Sequence, residues 1–128
     1  MAEALIAGSG SDGEFHTAEG CHIRELLNDA RVPQTSLATA RVEAGVTTAL
    51  HRVSVQEWYV IVAGSGVMTV GGEEPFPVGP GDTVAIPAGV AQCIRNTGGT
   101  DLVFHCICQP RFRPECYEAL GTPLVTAS

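Results

Sequence analysis

No run of lysine or arginine occurs anywhere in this chain of 128 residues, whose formal net charge is −7. An acidic surface repels phosphate backbones and anionic headgroups, so neither nucleic acid nor a membrane is an expected partner. Met1 to Gly20 lacks a basic segment followed by an apolar one, as a secretory leader would have. No apolar stretch approaches the length that spans a bilayer. These absences lead to the expectation of a cytoplasmic protein.

Cysteine is present, but without the pattern of a framework. The five residues Cys21, Cys93, Cys106, Cys108 and Cys116 are odd in number and contain no Cys-x-x-Cys pair. Disulfide stapling and a structural zinc knuckle are both excluded on that pattern, and most of the thiols should be reduced and buried. Charged residues are scarce at 16%, while hydrophobic ones reach 45%, enough for a real core in one domain. Neither an internal repeat nor an inter-domain linker is visible.

What is present is a succession of short β-favouring runs punctuated by Gly and Pro. Cys21 to Leu27 reads as strand or short helix, and Ser36 to Val42 alternates as a strand. Runs follow at Thr47–Val53, Glu57–Ala63, Val67–Val70, Phe76–Val78, Thr83–Ile86, Gln92–Arg95 and Leu102–Cys108. Turns fall between them, at Gly64-Ser65-Gly66, Gly71-Gly72, Pro80-Gly81-Asp82 and Pro87-Ala88-Gly89. Many short strands with such turns predict an antiparallel barrel or sandwich. Gly45, Gly64, Gly81 and Gly89 sit where sharp turns call for positive φ. Asp82 and Asn96 read first as turn residues. Only Pro114 to Leu120 suggests a helical turn or two.

Two segments carry a longer pattern. One reads Gly45-VTTAL-His51-Arg52-Val53-SVQ-Glu57-WYVIVA-Gly64, the other Gly81-DTVAI-Pro87-Ala88-Gly89-VA-Gln92-CIR-Asn96. In every spacing these resemble the two motifs of the cupin superfamily, with Val53 and Gln92 standing where the family has histidines. The resemblance implies an all-β fold, an antiparallel jelly-roll (cupin) β-barrel with a short C-terminal helical segment. It also implies a division into an N-terminal arm or edge segment over 1–20, the barrel over 21–112, and a short helix or tail over 113–128.

Family members with an intact set hold a divalent transition metal through two histidines and a carboxylate of the first motif and a histidine of the second. Carried over position by position, the metal residues here are His51, Glu57 and Gln92, and the metal could be Zn, Fe, Mn, Ni or Cu. Strand alternation turns Tyr59, Ile61 and Ala63 inward with Glu57, and Ile94 and Asn96 inward with Gln92. For the last strand two faces are open, one with Phe104, Cys106 and Cys108, the other with Val103, His105 and Ile107. Similar small cupins favour the first, which brings Cys106 near the metal position. Glu57, Tyr59 and Cys106 are then the catalytic candidates. Each has a plainer alternative: a buried pairing of Glu57 with Arg52 or another cation, a packed Tyr59, a packed Cys106 thiol. His16, His22 and His105 read as surface residues.

The resemblance implies a metalloenzyme acting on a small organic substrate, with dioxygenase-like, isomerase or cyclase chemistry. The alternative is a non-catalytic module that binds a small ligand around a degenerate metal site. A homodimer is expected, because small barrels of this kind leave sheet edges and faces to cover.

Overall fold

A computed structural model of the chain describes residues 13–121. Residues 1–12 of the expected arm, Leu5 and Ile6 among them, lie outside the described residues, as do the last seven.

The nine runs all become strands and, with two further ones at the ends, give eleven among the described residues: β1 Phe15–His16, β2 His22–Leu27, β3 Ser36–Val42, β4 Leu50–Val53, β5 Gln56–Ala63, β6 Gly66–Val70, β7 Phe76–Val78, β8 Thr83–Ile86, β9 Gln92–Asn96, β10 Leu102–Gln109 and β11 Tyr117–Gly121. They form two antiparallel sheets, ordered β1-β2-β3-β10-β5-β8 and β11-β4-β9-β6-β7. The architecture is the expected jelly-roll barrel. Among the described residues no helix is long and apolar enough to cross a membrane.

One side chain in two enters the space between the sheets, because strand residues alternate faces. Tyr59, Ile61, Phe104, Met68, Ile86, Ile94 and Leu102 fill the centre. A smaller cluster of Val53, Val55 and Cys108, covered by Phe112, Cys116 and Tyr117, closes one end. The turns are built as their residues predict. Gly45, Gly64, Gly81 and Gly89 all have positive φ, and at Gly64 a Cβ would lie 2.5 Å from the carbonyl oxygen of Asp101. Asp82 accepts the Gly79 N–H, and buried Asn96 ties together Val42, Gly98 and Thr100.

Two expectations are corrected. The C-terminal helical segment is only a 3₁₀ turn at Pro114–Cys116, and the chain then extends as β11 to pair with β4. Without that strand β4 would be an open edge, and edge pairing outweighs the weak helical preference of this segment. The run Thr47–Val53 is interrupted before Leu50. There the Ala49 N–H donates at 2.7 Å to the carbonyl of Glu19, outside the ladder, so the strand begins one residue later.

Candidate functional site

β4 and β9 place His51 and Gln92 opposite one another as Cα partners, and β5 brings Glu57 to face them from the other sheet. All three are buried, at 3%, 0% and 7% exposure respectively. Gln92 Nε2 donates to Glu57 Oε1 at 2.8 Å. The other end of that amide, Oε1, has no hydrogen-bond partner among the described residues. His51 Nδ1 lies 2.9 Å from the Ala49 carbonyl. A carbonyl can only accept, so Nδ1 carries the hydrogen and neutral His51 keeps its lone pair on Nε2. The imidazole is stacked on Tyr117, with centroids 5.2 Å apart and planes 19° from parallel.

A carboxylate that the motifs do not include completes the group. Glu19 Oε2 stands 3.9 Å from His51 Nε2. The segment bearing it is pinned by the Ala49 N–H and turns at Gly20, where φ is +101°. Cys21 Sγ reaches the same carboxylate at 3.5 Å.

These groups open onto a cavity of about 360 Å³ whose walls are largely apolar and aromatic. Burial dominates its electrostatics. It raises the Glu57 carboxyl above its ordinary range, against the opposing pull of the Gln92 hydrogen bond and His51. Burial likewise lifts the Tyr59 hydroxyl and the Cys106 thiol well above their ordinary values, and Cys21 to about 12. Tyr59 and Cys106 therefore face the cavity as neutral hydrogen-bond donors.

Strand parity places the remaining candidates. Tyr59 shares the inward face with Glu57 and leans on Phe104, centroids 4.3 Å apart. On β10 the inward set is Phe104, Cys106 and Cys108. The thiol beside Glu57 is Cys108, at 3.7 Å from Oε2, whereas Cys106 lies across from Tyr59. Arg52 points outward to Glu118, so it is not the partner of Glu57. Ala63, at the strand's end, is exposed rather than inward. His22 and His105 bind Glu43 and Thr39, away from the site. Glu19 carries no motif signal: the fold alone brings its loop to Ala49.

A family model described as "Cupin domain" matches residues 38–108. The chain is a cupin. Among curated proteins, "Uncharacterized protein MJ1618" of Methanocaldococcus jannaschii is 38% identical over 109 residues, 83% of this cupin and 86% of that protein. Among solved structures, Bacillus subtilis oxalate decarboxylase superposes with a TM-score of 0.79 at 20% identity, covering 94% of this cupin and 33% of that chain. This cupin thus spans about a third of the oxalate decarboxylase. A Streptomyces PAC13 structure with uridine gives a TM-score of 0.73 at 16% identity, covering 90% of this cupin and 91% of that chain. At these identities both likenesses concern the fold alone.

As arranged, the residues present do not make the metal centre of an intact cupin set. Val53 has no donor atom, and Gln92 turns an N–H rather than its oxygen towards Glu57. Among the described residues no three His, Cys, Asp or Glu side chains gather around one point. His51 and Glu57 alone would hold a divalent ion weakly.

Proposed function

We propose that this cupin binds a small organic molecule in its cavity and that His51 and Glu57 act on it as an acid–base pair. The observation that carries the reading is their pairing of opposite capacities. Glu57 is a carboxyl that burial keeps prone to hold its proton, and neutral His51, on the same cavity wall, keeps its lone pair on Nε2. The Gln92 N–H orients the Glu57 carboxyl, and the Ala49 carbonyl fixes the imidazole tautomer. Tyr59 and Cys106 supply neutral donors that would orient the substrate. Of the chemistries associated with similar cupins, isomerisation and cyclisation need only such proton transfers.

The test is a ligand screen by thermal shift and NMR, run on the wild type and on Ala38→Phe, which fills the cavity from β3. Bound compounds should be lost in Ala38→Phe. Any that are turned over should slow by about a hundredfold or more in Glu57→Gln, the usual scale for a lost acid–base group. Hits that bind the filled variant equally well would overturn the reading.

One observation favours a second reading, in which His51, Glu57 and Gln92 hold a divalent metal. Among the described residues Gln92 Oε1 is a buried acceptor without a partner, and a cation is one group that would satisfy it. Stoichiometric transition metal in protein purified without chelators or metal-affinity tags would support it.

A further inference from the structure

The charge of the cavity points to the class of its ligand. Three carboxyl groups of the described residues line it: Glu19 beside His51, Glu25 at the exposed mouth, and the buried Glu57, which burial inclines to keep its proton. No basic side chain does. The chain has no lysine, and its seven cations are all arginines. Not one of the seven reaches the wall of this cavity. Arg31, Arg41, Arg52 and Arg113 are engaged with Asp29, Glu14 and Asp101, Glu118 and Glu115 on the outside, and Arg111 binds Asn28. An anion entering here would find carboxylates and no countercharge.

The geometry of His51 and Glu19 is more specific than the charge alone. His51 is more than nine-tenths buried and its Nδ1 is committed to Ala49, so in the neutral ring Nε2 is an acceptor. Opposite stands Glu19 Oε2, also an acceptor, 3.9 Å away. Neutral His51 has no hydrogen to offer across that gap. A donor group set off the line joining them, on the cavity side, would bridge both at ordinary hydrogen-bond distances, beside the Cys21 thiol that already reaches Glu19 Oε2. Around them the wall is aromatic, with Phe15, Tyr59, Phe104, Phe112 and Tyr117. Aromatic faces attract cations as well as apolar bodies.

We infer that the cavity selects organic cations, specifically an ammonium group on a small apolar or aromatic body, and rejects carboxylates of the same shape. The ammonium sits between His51 Nε2 and Glu19 Oε2, and the body packs against the aromatic wall. This rests on the cavity being the ligand site. It departs from the oxalate decarboxylases that share the fold, whose named substrate is a dianion.

The experiment compares three probes of one shape, benzylamine, benzyl alcohol and benzoate, titrated into the full chain at neutral pH and followed by NMR. Benzylamine should bind tightest, with benzoate weaker by about tenfold or more, as expected for one charge reversal in a partly shielded site. Glu19→Gln should cost the amine about tenfold and the alcohol much less, and Glu25→Gln at the mouth should lower the amine preference to a smaller degree. Benzoate binding as well as benzylamine, or an amine preference unchanged in both variants, overturns the charge selection and leaves the cavity standing as a ligand site. Failure of all three probes to bind overturns the selection together with the cavity reading.

Discussion

At the scale of single residues, Glu57 shows how function and stability pull apart. Its carboxyl is 7% exposed, and among the described residues its hydrogen-bonding partners are one amide N–H and a distant thiol. Burial raises its folded-state pKa above the ordinary value of 4.5. The folded protein therefore keeps a proton that the unfolded chain gives up, and stability falls as pH rises from 4.5 towards the folded value. Glu57→Gln removes the ionisation and keeps an oxygen to accept from Gln92. The variant should melt at nearly the wild-type temperature at pH 4 and higher at pH 8, by roughly 4 °C for a gain of about 1 kcal/mol. Calorimetry at the two pH values checks this. A Tm difference that does not change with pH would show that the Glu57 charge is not what burial penalises.

At the scale of elements, the two motif segments made most of the barrel legible, because their spacing is set by strand and turn lengths that the fold cannot vary. Alternation alone put Glu57, Tyr59 and Ile61 on one face of β5. It chose between the faces of β10 only with help from the resemblance, and it did not give depth. The register of β10 on β5 sets Cys106 opposite Tyr59 and Cys108 opposite Glu57, a pairing that parity alone does not give. Glu19 and β11 were illegible for a common reason: each is placed by pairing with a segment distant in sequence, which no local pattern records. The same elements show what separates this site from an intact one. β4 and β9 already hold positions 53 and 92 at the right stations, so only the side chains are missing. Val53→His with Gln92→His should therefore create a zinc or nickel site with His51 and Glu57, tightening binding by a hundredfold or more, roughly what each added imidazole contributes many times over. Isothermal titration of the wild type and the double variant measures it. Equal affinity in the two proteins would mean that β4 and β9 do not converge as described.

At the scale of the whole molecule, the larger sheet has a second face. Outward from β5 point Trp58, Val60 and Val62, and from the paired β10 point Val103 and Ile107, with His105 between them. Leu37 of β3 continues the row beside Ile107. Val62 is 46% exposed and its neighbours are only half-buried, so the face is apolar and not covered by the described residues. Alternation would ordinarily place polar residues on a solvated face. A sheet of this kind is protected by packing against another, and a second copy offers the same surface about a two-fold axis. We expect a homodimer joined back to back through these strands, which leaves the cavity, on the opposite side of the sheet, open in both copies. A specific interface of this type buries on the order of 1,000 Å² or more, within reach of such a face. Light scattering at micromolar concentration should give twice the chain mass. Val60→Lys, which places a charge at the centre of the face without touching the core, should give one chain mass with the fold intact by circular dichroism. A wild type that scatters as a single chain would show that this face is left to solvent.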